Sequence, residues 1–184
     1  QMVRWIFGLK EEESDSGSNR GLYGKLAVPT RTDVRFALLE ASYTDMGRDT
    51  VSSLIGTTSI ALRNRQVEAE HCDSFTGLRK ERANLGSIND GASATFRNLN
   101  LRDTTKIWVQ LSSGGSGGTL EVRRGSYSGD LLAAFKVKTT GGWNQQIQLS
   151  AAIEPINERT DIVLVFSNPG KRSLMNVDWL RFDK

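Results

Sequence analysis

Only one cysteine and one histidine occur among the 184 residues, Cys72 and His71, and they are neighbours. A lone cysteine excludes an internal disulfide. One cysteine plus one histidine also falls short of the four ligands of a structural zinc site. Nucleophilic catalysis by a serine or by Cys72 would have to use His71 as its base. Neither a Gly-X-Ser-X-Gly elbow nor a His-Glu-X-X-His motif is present. No apolar run is long enough to cross a bilayer and no lipidation motif occurs, so no membrane contact is expected. Neither sign of charge is in large excess: Lys plus Arg is 24 against 21 for Asp plus Glu, a net charge of +3. The basic residues are scattered in short pieces such as "RNR" (63–65), "RKER" (79–82), "VRR" (122–124) and "GKR" (170–172). A nucleic-acid binder gathers such residues on one face with interleaved aromatics, so these pieces read as solvated surface and no nucleic acid is expected.

Helical periodicity is nearly absent as well. What the chain has instead is runs of four to ten residues rich in Val, Ile, Leu, Phe and Thr, bounded by Gly, Asn, Asp and Ser. Strands are expected at 3–9, 24–28, 34–43 and 57–63, then at 66–71, 92–97, 105–112, 118–124, 131–138, 144–149, 160–167 and 174–182. About eight strands beyond residue 65, spaced by polar turns, form the pattern of a β-sandwich, so the chain is expected to be all-β. The glycine-rich "SSGGSGG" (112–118) precedes a strand rather than a helix and has no Gly-Lys-Ser/Thr, so it reads as a flexible hairpin loop and not a phosphate cradle. "TGGW" (140–143) reads as a turn that delivers a tryptophan.

"EAEHCD" (68–73) places Glu68, Glu70, His71, Cys72 and Asp73 within six residues. In a strand, residues i and i+2 share a face, which would set the Glu68 and Glu70 carboxylates side by side with Val67 and Ala69 turned away. Two such charges repel unless a cation neutralises them or they splay into water. Calcium, with six to eight oxygen ligands, suits carboxylates supplemented by backbone carbonyls, and Asp178 near the far end of the chain could add a third. Two solvated glutamates on an edge strand is the competing reading.

Five segments follow in order: "QVEAE", "LGSINDGASATFRNLNL", "GGTLEVRRGSYSGDLLAAFKV", "TTGGWNQQIQL" and "TDIVLVFSN…LMNVDWLRF". Together they resemble a family 6 carbohydrate-binding module over residues of about 66–184. The resemblance implies a β-jelly-roll that docks polysaccharide or oligosaccharide and holds a structural calcium through Glu68, Glu70 and Asp178. It also implies a loop-end site that stacks a sugar between Trp143 and a second aromatic, with an Asn beside it, either Asn176 or Asn168. The second aromatic is the point of departure: Ser87 in "LGSIND" stands where the family often has Tyr. Tyr127 in "RRGSYSGD" is an alternative platform. The family can also bind on the concave face of its sheet. Trp108, Trp179 and Phe182 fall inside strand patterns and are expected in the core.

Residues 1–65 are expected to form a separate small β-domain, either an antiparallel sheet or an immunoglobulin-like sandwich. "LLEASYTDMGRDTVSSLIGTTSIALRN" loosely resembles the small β-domain that precedes such modules in large secreted bacterial proteins. The expectation is therefore a non-catalytic, secreted or cell-surface carbohydrate-binding piece of a larger protein, in contact with other domains of that protein. A sandwich that packs on such a partner domain without binding sugar is the alternative.

Overall fold

The computed structural model describes residues 2–8, 16–20, 36–44, 47, 50, 52–62 and 65–184. The chain divides into two compact units, Gln1–Asn64 and Arg65–Lys184. In the first, β1 (Met2–Gly8), β2 (Ser16–Arg20), β3 (Phe36–Thr44) and β4 (Ile55–Leu62) form one antiparallel sheet in the order β2-β1-β3-β4. β2 lies in a stretch whose acids, serines and glycines read as a turn. The strand expected at 24–28 lies outside the described residues, and among the described residues the unit has one sheet, where a sandwich has two.

The second unit begins with β5 (Gln66–Glu68) and three short strands, β6 (Ser74–Thr76), β7 (Arg79–Lys80) and β8 (Leu85–Gly86). The longer strands follow: β9 (Ser93–Asn100), β10 (Thr104–Ser113), β11 (Gly118–Arg124), β12 (Leu131–Val137), β13 (Gly142–Ile156), β14 (Arg159–Ser167) and β15 (Asn176–Asp183). One sheet has the order β13-β10-β15-β8-β7, with β5 also paired to β15; the other has the order β12-β11-β14-β9-β6. Period-2 alternation explains the layers. In β10, Ile107, Val109 and Leu111 are fully buried, whereas Lys106, Trp108 and Gln110 face outward. Ile162, Leu164 and Phe166 of β14 meet them in one apolar core with Leu120, Val122, Val177 and Phe182. Each such side chain contributes about 1.5–3 kcal/mol through burial.

The connections collect at two ends. At one, Gly117 N donates to Leu174 O (3.0 Å), Leu174 N to Ile88 O (2.8 Å) and Thr140 N to Ser113 O (2.8 Å). These bonds tie together the loops after β8, β10, β12 and β14, which carry the glycine-rich segment and Trp143. At the other end, Gly125 N donates to Asp161 O (2.8 Å) and Leu101 N to Glu158 O (3.2 Å).

Candidate functional site

Trp143 opens β13, and its backbone is pinned before its side chain is placed. Ser113 N donates to Thr140 Oγ1 (2.9 Å), Thr139 Oγ1 donates to Ser113 O (2.9 Å) and Ser112 Oγ donates to Trp143 O (2.7 Å). Gly141 supplies the left-handed φ of 97° at the turn. The indole then lies against the glycine-rich segment. A Cβ on Gly114 would come within 2.9 Å of three ring atoms, and one on Gly115 within 3.0 Å of the ring and 1.9 Å of Ser173 O. Those two glycines are therefore the floor under the tryptophan, a role that their reading as a flexible loop missed. The residue remains 42% exposed.

Trp143 forms one wall of a cleft of about 720 Å³, together with Asn176, Asp178, Glu81, Ser87 and Gln146. Asn176 starts β15 opposite Ser112 of β10. The register then shifts: Leu111 pairs with Val177 and Gln110 with Trp179, leaving Asp178 as the extra residue of a bulge. The bulge re-aims the Asp178 carboxylate, whose Oδ2 accepts from Gln110 Nε2 (2.7 Å) and Gln146 Nε2 (3.3 Å). Gln110 also donates to Gln146 Oε1 (2.9 Å) and accepts from Gln148 Nε2 (2.9 Å). On the opposite side Glu81 folds over Gly86, where any Cβ would sit 2.1 Å from Glu81 Oε1. The cleft thus combines one aromatic plane with amides and carboxylates, donors and acceptors suited to hydroxyl groups.

The sequence-derived residues separate cleanly. Trp143, Asn176 and Asp178 meet in this cleft, and Ser87 faces it without an aromatic. Tyr127 does not belong there. It lies exposed in the turn after β11, and the seven residues of that strand separate it from the cleft by roughly 20 Å. Asn168 is not among the residues that line this cleft, and its bonds clamp a loop. Its Nδ2 donates to Ser116 O and Gly117 O (both 3.3 Å), and its backbone N donates to Asp90 Oδ1 (2.9 Å), which holds the glycine-rich loop in place.

Phe182 is in the core as expected, but Trp108 is not. Trp108 shares the outward parity of Lys106 and Gln110, a signal the sequence did contain. Lys106 Nζ sits 4.2 Å and the Arg181 guanidinium 5.2 Å from its ring centroid. Arg181 also lies 5.5 Å from the ring of Trp179, which pairs with Glu68 and Gln110 on the same outer face and is buried there. Both indoles on this face are thus already engaged by cations.

The carboxylates do not follow the expected strand pattern. β5 ends at Glu68, and Ala69–His71 is a 3₁₀ turn, so the i, i+2 relation that would pair Glu68 with Glu70 does not hold. Ala69 and Cys72 are buried, and the turn winds because it carries both inward. Glu68 instead feels Asp178. Burial pushes its carboxyl above the ordinary value of 4.5, the hydrogen bond from Gln66 Nε2 (3.1 Å) works against this, and the Asp178 charge adds to it. Among the described residues no three His, Cys, Asp or Glu side chains converge as a ready metal cage. Glu68 and Asp178 fit calcium as two hard oxygen donors that would need carbonyls or water to complete the shell.

Comparison with known proteins accounts for this architecture. The family model described as "Carbohydrate binding module (family 6)" matches residues 63–184. An endo-1,4-beta-xylanase A of Thermoclostridium stercorarium is 34% identical over 141 residues, which cover 72% of this chain and 20% of that protein. The chain thus spans about a fifth of this relative's length. Among solved structures, a β-1,3-glucan-binding family 6 module from Bacillus halodurans is 32% identical, with a TM-score of 0.59, over 66% of this chain and 96% of that one. A family 6 module from Clostridium stercorarium in complex with cellobiose is likewise 32% identical, with a TM-score of 0.58, over 65% and 92%. A two-sheet module closed at one end by a tryptophan-bearing cleft, matched by that family's model over two thirds of the chain, belongs to family 6 of the carbohydrate-binding modules.

Proposed function

We propose that the chain binds a polysaccharide or oligosaccharide in the loop-end cleft without cleaving it, as the targeting piece of a larger extracytoplasmic carbohydrate-active protein. The observation that carries this reading is the Trp143 indole, seated on Gly114 and Gly115 with its residue still 42% exposed beside Asn176, Glu81 and Asp178. A pyranose ring presents C–H groups on its face and hydroxyls at its edge. The first would cover the indole, and the second would meet the Asn176 amide and the Glu81 carboxylate. The sugars bound by the related modules support the same ligand class. Engagement of Trp108 and Trp179 by Lys106 and Arg181 favours the cleft over the sheet face.

We propose as well that calcium is held where β5 meets β15, by Glu68 and Glu70 on one side and Asp178 on the other. The facing charges of Glu68 and Asp178 support it, because a cation between them would remove their repulsion. The ion would staple the first and last strands of the module and take no part in sugar chemistry.

The test is a glycan array in calcium with wild type and Trp143→Ala side by side. Wild-type binding lost in the variant supports the cleft. Binding that survives it moves the site elsewhere, and an array blank for both proteins leaves the scaffold role as the better account.

A further inference from the structure

The cleft has a neighbour at Ser87. A second cavity, of about 420 Å³, lies beyond it and shares Ser87 and Ser173 as walls with the first. Both serines hold left-handed backbones, with φ of 52° and 50°. Non-glycine residues rarely adopt that conformation, and it persists only where surrounding contacts enforce it. Ser173 N donates to Asn89 Oδ1 (3.3 Å), and Asn89 Nδ2 donates to Gly77 O (3.4 Å), so one asparagine joins both sides of the second cavity.

This cavity differs from the first in charge. Its ionisable lining groups are Arg79, from the β7–β8 hairpin, and Arg172, from the loop after β14. Both are exposed, and neither side chain has an ion pair among the described residues. The loop that carries Arg172 is fixed rather than loose. Lys171 N donates to Asn168 O (2.9 Å), Asp90 N to Lys171 O (3.1 Å), and the Asp90 carboxylate accepts from Asn168 N (2.9 Å) and Gly170 N (3.1 Å). Asp90, the acid that holds this loop, is thereby committed to backbone amides. Glu81 is turned to the first cleft, over Gly86.

Resting on the reading of the first cleft as a sugar site, we propose that the cleft continues across Ser87 into a subsite where Arg79 and Arg172 take an anionic sugar residue, bearing a carboxylate or a sulfate ester, next to the ring stacked on Trp143. Guanidinium groups bind both anions through charge-assisted, often bidentate, hydrogen bonds. A tyrosine at position 87 would place a ring between the two cavities, whereas serine sets only a hydroxymethyl group on their shared wall. The ligand class is then a polysaccharide with acidic decorations.

The test compares β-1,4-xylan and β-1,3-glucan oligosaccharides in three forms, neutral, glucuronate-substituted and sulfated, by calorimetry with the full chain. The wild type is expected to bind at least one acidic form about tenfold more tightly than its neutral counterpart at low salt. That advantage should shrink as salt rises and vanish in Arg79→Gln/Arg172→Gln, with affinity for the neutral sugar unchanged. A preference confined to one acidic form names the anion. Equal affinity for neutral and acidic forms overturns the subsite while leaving the sugar-binding reading intact. An acidic preference that survives the double substitution overturns it too. Failure of every form to bind removes both. Matched melting temperatures establish that the variant is folded, as both arginines are exposed.

Discussion

Removing the Trp143 indole should weaken glycan binding by an amount that the structure bounds. A tryptophan presents up to about 250 Å² of surface, mostly apolar, so the 42% left exposed here amounts to roughly 100 Å². At about 25 cal/mol per Å², full coverage by a sugar would contribute about 2.5 kcal/mol. A ring seated on glycine on one side offers only its other face, so about 1–2.5 kcal/mol is the working range, or roughly 5- to 70-fold in Kd. Trp143→Ala measured by calorimetry against the best oligosaccharide should fall in that window, with the melting temperature nearly unchanged. A loss below twofold would refute the platform argument. A collapse in thermal stability would show instead that the indole supports the glycine-rich loop, rather than the reverse.

Three further outcomes follow from the same geometry. Gly114→Ala brings a methyl within 2.9 Å of the indole and should tilt it, weakening binding several-fold in a calorimetric titration while the protein stays folded. Asn176→Ala removes an amide at the edge of the cleft and should cost about 1 kcal/mol, near fivefold, in the same titration. Glu68 gives a pH signature. Its folded-state pKa lies above 4.5, so metal-free stability should be greater below that pH and decline as pH rises through the window above it. Glu68→Gln should flatten that decline in chelator. In calcium it should forfeit the melting-temperature gain expected of wild type, and an absence of any calcium shift in wild type would dismiss the metal proposal.

Much of the module was legible because its strands obey a simple parity. β9 to β12, β14 and β15 stand close to where apolar alternation places them, and Trp143 and Asn176 meet because each sits at a strand entrance at one end of the sandwich. Other features were hidden for physical reasons. Periodicity cannot show where a strand gives way to a 3₁₀ turn, so Glu70 was aligned with Glu68 although the backbone winds between them. β6, β7 and β8 have two or three residues each, too few for alternation to register. β13 runs to Ile156, well past the expected end, because Ala151 and Ile153 continue the half-buried parity of Leu149. Asn168 and Tyr127 both carry sugar-compatible chemistry, and only tertiary placement separates a loop clamp and a distant turn from a cleft. The glycine-rich segment conceals its purpose most completely, since nothing local in "SSGGSGG" says which ring will rest on it.

The claim that the glycan lies on Trp143 is tested most directly by following the indole N–H signals of the four tryptophans, Trp5, Trp108, Trp143 and Trp179, in a ¹⁵N–¹H spectrum during titration with a bound oligosaccharide. The Trp143 signal should move with saturation behaviour while those of Trp108 and Trp179 stay in place. Movement of Trp108 or Trp179 with a stationary Trp143 would put the sugar on the sheet face and contradict the account.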